Sequence, residues 1–169
     1  MRNFKISMAA LMAVAAATGT AYAGGSPNTF GIGAEALFTN SDDNIGGISG
    51  NYDFGDFHLG GFLGVADPAG ANNTRLEMGV RFFYHLHSSA MADFGVGGGL
   101  AYANTPVGGA SDAKNDEVYL VPGMQIRAFI SSNVALSFGA GIALGLGDAD
   151  GVQLDGHLTS NAGVHYYFF

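Results

Sequence analysis

The feature that most constrains the fold of this chain is an alternation of apolar residues with small or polar ones, at a period of two. The clearest run is VALSFGAGIALGLG, residues 134–147, in which every second residue from Val134 to Leu146 is apolar and the residues between them are Ala, Ser or Gly. Successive side chains of a β-strand point to opposite faces. The run therefore predicts a strand with one bulky apolar face and one face almost without side chains.

Seven further runs follow the same rule, which makes eight predicted strands. They cover residues 30–39, 46–54, 57–66, 75–87, 93–102, 117–130 and 157–168. The links after the second, fourth and sixth runs are short, whereas those after the first, third, fifth and seventh are longer and more acidic. Tight turns at one end and longer loops at the other predict an all-β fold, an eight-stranded antiparallel up-and-down barrel.

The charged residues indicate which face of the barrel points inward. Those within the strands lie opposite the apolar stripe: Glu35, Arg75, Glu77, Arg81, Asp93, Glu117 and Arg127. The apolar face is too bulky and continuous to fill the interior of so small a barrel, but it suits contact with lipid. Strands of about ten residues have the length needed to cross a bilayer at a steep tilt, and closure satisfies the backbone hydrogen bonds. We therefore predict a transmembrane barrel, with a soluble lipocalin-like barrel as the alternative.

The N-terminus has the pattern of a secretory signal peptide. Arg2 and Lys5 precede an apolar run, and Ala21-Tyr22-Ala23 forms a small-x-small cleavage site. The predicted organisation is a signal peptide over residues 1–23 and a single barrel domain over residues 24–169. The chain has no Cys, which excludes lipidation after the cleavage site, and its 14 acidic residues against 6 basic ones disfavour binding of nucleic acid.

Aromatic residues concentrate toward the short-turn end and at the C-terminus, where the chain closes with four of them. In membrane barrels such residues form girdles at the two membrane–water interfaces. The predicted set near the short-turn end is Phe54, Phe57, Phe82, Tyr84, Phe94, Phe129, Tyr166 and Phe168. The alternation places Tyr166 and Phe168 outward and leaves Phe169 as one extra residue. Pro122 lies inside the sixth run, where it cannot donate to a ladder, so we expect a bulge or a missing bond there.

The aromatic ending resembles the C-terminal signature of bacterial outer-membrane proteins, in which the last residue is usually Phe. Over essentially its whole length after the leader, the chain resembles the small eight-stranded outer-membrane barrels of Gram-negative bacteria. The resemblance implies residence in the outer membrane, among its lipid and lipopolysaccharide. It also implies that the barrel-assembly machinery and periplasmic chaperones act on the chain during biogenesis, and that the terminal aromatic residues are the assembly signal.

Four charged residues near the middle of their strands are the candidate functional residues of the lumen: Glu35, Glu77, Arg81 and Arg127. Unpaired charges in a narrow, dry interior are costly, so we expect these side chains to pair with one another. Such an ion-pair network predicts a structural plug. The alternative is a narrow channel, in which the pairs rearrange to admit ions or small solutes.

The five histidines are predicted to lie on the inner face, and His85 and His87, two residues apart, could share a metal. No third ligand is placed with them, so neither a metal nor a cofactor is predicted. The acidic outer loops could bridge to lipopolysaccharide phosphates through divalent cations.

An enzyme of outer-membrane lipid is the remaining alternative. Lipid A deacylases of this shape use a His and a Ser two residues apart, and the most similar pattern here is His157 and Thr159 beside Asp155. The nucleophile would be Thr, these side chains turn away from lipid, and no G-x-S-x-G motif is present. The predicted function is therefore a non-enzymatic barrel with a role in membrane integrity and minor solute permeation.

Overall fold

The computed structural model describes residues 27–37, 47–67, 73–89, 91–106, 113–146, 151–153 and 160–168. The predicted signal peptide, Phe169, and the pattern of Asp155, His157 and Thr159 lie outside the described residues. Among those described, no helix is long and apolar enough to cross a membrane. The strands are β1 Thr29–Leu37, β2 Gly47–Asp53, β3 Phe57–Ala66, β4 Arg75–Ser88, β5 Ala92–Pro106, β6 Lys114–Phe129, β7 Val134–Gly141, β8 Ala143–Leu146, β9 Gly151–Gln153 and β10 Ser160–Phe168.

The sheet closes on itself. Strands β1 to β6 pair in sequence order, β6 pairs with β7, β7 with β10, and β10 with β1, all antiparallel. Strands β7 and β8 are two parts of one barrel strand, since both pair with β6. The prediction of an eight-stranded antiparallel barrel is therefore confirmed.

The break between β7 and β8 lies opposite Pro122. Ile142 donates its N–H to the Pro122 carbonyl at 3.0 Å, but Pro122 has no N–H to donate in return. The register is the same on both sides, with Gly123 opposite Gly141 and Leu120 opposite Leu144. A hydrogen bond is therefore missing without a bulge, which was one of the two expected outcomes.

Strand β9 is an element that the sequence did not predict. Gly151, Val152 and Gln153 pair with β8, whereas the pattern placed them in a link. Three residues are too few to show an alternation, so no sequence signal distinguishes this strand from a loop.

The two faces of the barrel differ as predicted. Bulky apolar side chains face outward and are exposed around the circumference, as at Ile48, Val80 and Phe138. The polar and charged side chains of the opposite face are buried, among them Glu35, Asp53 and Arg127. An exterior of this kind is the surface of a protein whose surroundings are lipid.

A bulge in β4 changes the phase of the alternation near the short turn. The register with β5 shifts between His85 and His87, and Leu86 and His87 are both exposed. A bulge adds one residue to one strand, so that the side chains beyond it exchange faces. The prediction that His87 faces the interior is therefore wrong, and His85 and His87 do not share a metal site.

Candidate functional site

The polar interior of the barrel is organised around Arg127 at the short-turn end. Its Nη2 donates to Asp53 Oδ2 at 2.6 Å and to Asp93 Oδ2 at 2.7 Å, and it lies 3.1 Å from His85 Nε2. Its Nη1 donates to the Tyr167 hydroxyl at 3.1 Å. These five residues, called the Arg127 cluster below, connect β6 with β2, β4, β5 and β10.

The charges of this cluster are almost completely removed from water. The side chains of Arg127 and Asp53 are each 2 % exposed and that of Asp93 is 6 % exposed. Buried ions are tolerated when they pair with good geometry, and removing one partner of such a pair typically costs about 3–5 kcal/mol. The cluster is therefore a rigid polar crosslink across the lumen.

His85 joins the cluster to the turn between β2 and β3. Its backbone N–H donates to the Asp56 carbonyl at 2.8 Å, and its Nδ1 lies 2.6 Å from the Gly55 carbonyl, to which it donates. Arg127 Nη2 can only donate, so the His85 Nε2 that it contacts is the acceptor. That lone pair faces both Arg127 and His58 Nδ1, which lies 2.8 Å away. The turn and the lumen thus share one hydrogen-bond network.

Aromatic rings pack beside the Arg127 cluster at the same end. Phe129 is buried and packs against Tyr167, which is fully buried, with ring centroids 6.1 Å apart. The Arg127 guanidinium lies 5.5 Å from the centre of the Phe129 ring. Phe129 therefore faces the lumen and does not belong to the outer aromatic girdle.

A second charged group lies near mid-height. Arg81 Nη2 donates to Glu35 Oε2 at 2.5 Å, and the Arg81 guanidinium stacks on Phe62 at 4.7 Å from the ring centre. His165 Nε2 lies 3.4 Å from the other Glu35 oxygen. Arg81 and Glu35 thus form a pair of their own, separate from the Arg127 cluster.

A cavity of about 60 Å³ lies beside Arg81, which is room for a few water molecules. Glu35, Glu77, Arg81 and Asn161 line it, and glycines of β5, β6 and β7 form the facing wall. Arg81 Nε and Nη1 and Asn161 Oδ1 are buried and have no hydrogen-bond partner within the described part of the chain. At Gly139 a Cβ would lie only 2.5 Å from Asn161 Oδ1, so this wall requires glycine where the amide packs against it.

An apolar cluster lies next to this cavity toward the long-loop end. Its buried members are Ala101, Ala103, Tyr119 and Ala143, and Phe62 and Val121 pack against them. The Tyr119 hydroxyl donates to Glu117 at 2.6 Å. The cavity therefore lies between this cluster and the Arg127 cluster.

Ser49, His165 and Glu35 superficially resemble a hydrolytic triad. Ser49 Oγ lies 2.6 Å from His165 Nε2, but the Glu35 carboxylate approaches the same nitrogen, and Nδ1 faces Ser137 at 3.4 Å. A triad needs the carboxylate on the nitrogen opposite the nucleophile. Ser49 and Glu35 therefore do not complete a triad through His165, which is completely buried.

The four predicted lumen residues do not form one network. Arg81 pairs with Glu35, but Arg127 pairs with Asp53 and Asp93, which were not among the candidates. Glu77 is buried and lines the cavity. The missed carboxylates do have a sequence signal, since each lies on the inner face beside a short turn, at the same end as Arg127.

Of the predicted aromatic set at the short-turn end, Phe129 is buried, whereas the outer surface carries the exposed rings of Phe54, Phe82, Tyr84, Tyr166 and Phe168. Phe54 stacks on Phe57 with centroids 4.6 Å apart, and Phe57 contacts Phe82 at 5.4 Å. Tyr166 and Phe168 contact each other at 5.1 Å, and Tyr84 is exposed nearby on β4. Phe169 lies outside the described residues.

Comparison with known proteins identifies the fold and no family. No protein-family model matches the chain, and no curated sequence matches it. Among solved structures, the N-terminal β-barrel domain of Pseudomonas aeruginosa OprF matches with a TM-score of 0.64 and 16 % identity, over 84 % of this chain and 98 % of that one. Ail, the attachment invasion locus protein of Yersinia pestis, matches with a TM-score of 0.44 and 13 % identity, over 83 % and 97 %. The chain thus has the fold of the small outer-membrane barrels.

Proposed function

We propose that this chain is a non-enzymatic integral protein of the bacterial outer membrane, with its short-turn end in the periplasm and a role in membrane integrity. The observation that carries the proposal is the Arg127 cluster. It connects the inner faces of five strands at one end of the lumen with buried, mutually paired charges. A lumen crosslinked in this way supports a closed barrel, because displacing one partner leaves a buried charge unpaired.

The exterior supports the same proposal. The outward residues of the strands are apolar around the barrel, and aromatic rings lie at the short-turn end. The protein would meet lipid, lipopolysaccharide and, during insertion, the assembly machinery and periplasmic chaperones.

A narrow channel is the second candidate, and the cavity beside Arg81 favours it. Arg81 and Asn161 line this space, and each carries buried polar atoms that have no hydrogen-bond partner among the described residues. Water in the cavity would make the middle of the lumen wet. In this alternative the Arg127 cluster is the constriction, and its rearrangement would admit small ions.

Single-channel conductance of the purified barrel in planar bilayers tests the two candidates. We expect no discrete current steps from the wild type, and steps from Arg127→Ala, because that substitution removes the cation around which the lumen closes. Lys114→Ala is the matched control, since Lys114 is an exposed cation on the same strand, and it should be silent. Frequent steps from the wild type that Arg127→Ala leaves unchanged would overturn the closed barrel. A change in lipid A mass upon expression would overturn the non-enzymatic assignment.

A further inference from the structure

The Arg127 cluster contains the donor set of a metal site. One carboxylate oxygen of Asp53, one of Asp93 and a ring nitrogen of His85 all lie within 4.8 Å of one another. The three atoms converge on a single point, which Arg127 Nη2 now occupies at 2.6, 2.7 and 3.1 Å. Two carboxylates and an imidazole are ligands that Zn²⁺ accepts.

The guanidinium fits this point imperfectly. Nη2 carries two hydrogens for three acceptors, and Arg127 Nε is buried with no hydrogen-bond partner among the residues that the structure describes. One positive charge also faces two buried carboxylates. A divalent ion would neutralise both carboxylates. It could also bind all three ligand atoms at once, whereas the two hydrogens of Nη2 cannot bond to three acceptors.

His85 is oriented as a metal-binding histidine is. Its Nδ1 donates to the Gly55 carbonyl, which directs the Nε2 lone pair into the cluster. Backbone carbonyls commonly orient metal-ligating histidines in this manner. A metal at this point would replace Arg127 and the His58 N–H as partners of that lone pair.

We propose that Asp53, His85 and Asp93 form a site for a divalent transition metal such as Zn²⁺ or Co²⁺, for which the Arg127 side chain competes as an internal cation. Typical Zn–N and Zn–O distances are about 2.0–2.2 Å, so each ligand atom would move toward the present position of Nη2 by roughly 1 Å or less. Water would occupy the remaining coordination position. The proposal does not depend on whether the barrel conducts.

Metal binding to the purified full barrel tests this proposal, with Co²⁺ absorbance and Zn²⁺ competition as readouts. Arg127→Met keeps a long side chain and removes the competing charge, so we expect it to bind one Co²⁺ roughly 10- to 100-fold more tightly than the wild type, the range by which residues around a metal site change its affinity. Arg127→Lys is the matched control, because its ammonium group retains the charge, and it should resemble the wild type. Adding His85→Gln to Arg127→Met should abolish the Co²⁺ absorbance bands.

Two results would overturn the site: a folded Arg127→Met barrel that binds no metal, or binding that survives the loss of His85. If Arg127→Met fails to fold alone, Zn²⁺ should restore its folding, since metal binding to an assembled site is coupled to folding. If it folds under neither condition, the wild type decides the question. Millimolar Zn²⁺ must then shift the His85 ring signals in NMR spectra, and unchanged signals would refute the proposal.

Discussion

Arg127 and Asp116 carry opposite charges in opposite surroundings. Arg127 is enclosed, and its interactions are strong because little water competes with them. Asp116 lies at the outer end of β6, beyond the first outward apolar residue, Val118, and is fully exposed. It accepts hydrogen bonds from the Tyr102 hydroxyl at 2.5 Å and from Asn104 Nδ2 at 2.6 Å. Of these two groups, only Asp116 is in contact with solvent, so its carboxyl group can be titrated directly.

The hydrogen bond from Tyr102, followed by that from Asn104, lowers the pKa of Asp116 below its ordinary value of 3.8. A lowered pKa means that the ionised carboxylate stabilises the fold above the ordinary pKa, and that this contribution is lost as pH falls through the lowered one. We predict that Tyr102→Phe raises the Asp116 pKa, measured by ¹³C NMR in detergent. Tyr84→Phe, at the opposite end, should leave it unchanged. An identical Asp116 titration in Tyr102→Phe and wild type would refute the prediction.

The turn between β2 and β3 is the element that holds the lumen network to the short-turn end. Gly55 has a φ of 96°, a conformation that L side chains rarely adopt. Its N–H donates to Asp53 Oδ1 at 2.7 Å, and its carbonyl accepts from His85. The conformation of one turn therefore positions two members of the Arg127 cluster.

We predict that Gly55→Ala destabilises the barrel by about 1–2 kcal/mol, because the substitution places a Cβ in a left-handed conformation. Gly61→Ala is the control, since a Cβ there meets only the Gly79 carbonyl at an ordinary 3.5 Å. Reversible urea unfolding from lipid vesicles measures the free energy. Equal loss in the two variants would mean that the turn conformation is not what Gly55 contributes.

The strands and the faces of their side chains could be predicted from the sequence, because the alternation follows directly from the pleat of a β-strand. The bulge at His85 and His87 could not be predicted, since a histidine near the hydrated short-turn end can lie on the inner or the outer face of the barrel. The inner-face positions of Asp53 and Asp93 beside short turns indicate that they lie at the same end as Arg127, but not that they bond to it. Residues that meet inside a barrel come from strands whose relative stagger is a property of closure, and no residue pattern displays that stagger.

The whole molecule presents an apolar cylinder with a polar interior, the reverse of a soluble barrel. Val80 lies on this exterior at the middle of β4, opposite Gly61 of β3. Val65 lies near the long-loop end of β3. The two side chains are 62 % and 58 % exposed, so any difference between them reflects their depth in the membrane.

We predict that Val80→Arg lowers the free energy of unfolding from lipid vesicles by about 2–4 kcal/mol, because the charge would lie near the bilayer midplane. Val65→Arg, closer to the interface, should cost only about 0–1 kcal/mol. In a soluble barrel both changes would be nearly neutral. Equal small effects in urea titrations would therefore contradict a membrane exterior.

The partners of Arg127 are separated from it by 74, 34 and 40 positions along the chain, for Asp53, Asp93 and Tyr167 respectively. Tyr167 belongs to β10, the last strand of the ring. The complete crosslink therefore cannot form while that strand is unpaired, however far the other strands have inserted. Until then Arg127 lacks the Tyr167 hydroxyl, although Asp93 lies directly opposite it on the neighbouring strand β5. The network is complete only in the closed ring, so an intermediate whose last strand is unpaired lacks part of the stabilisation of the finished barrel.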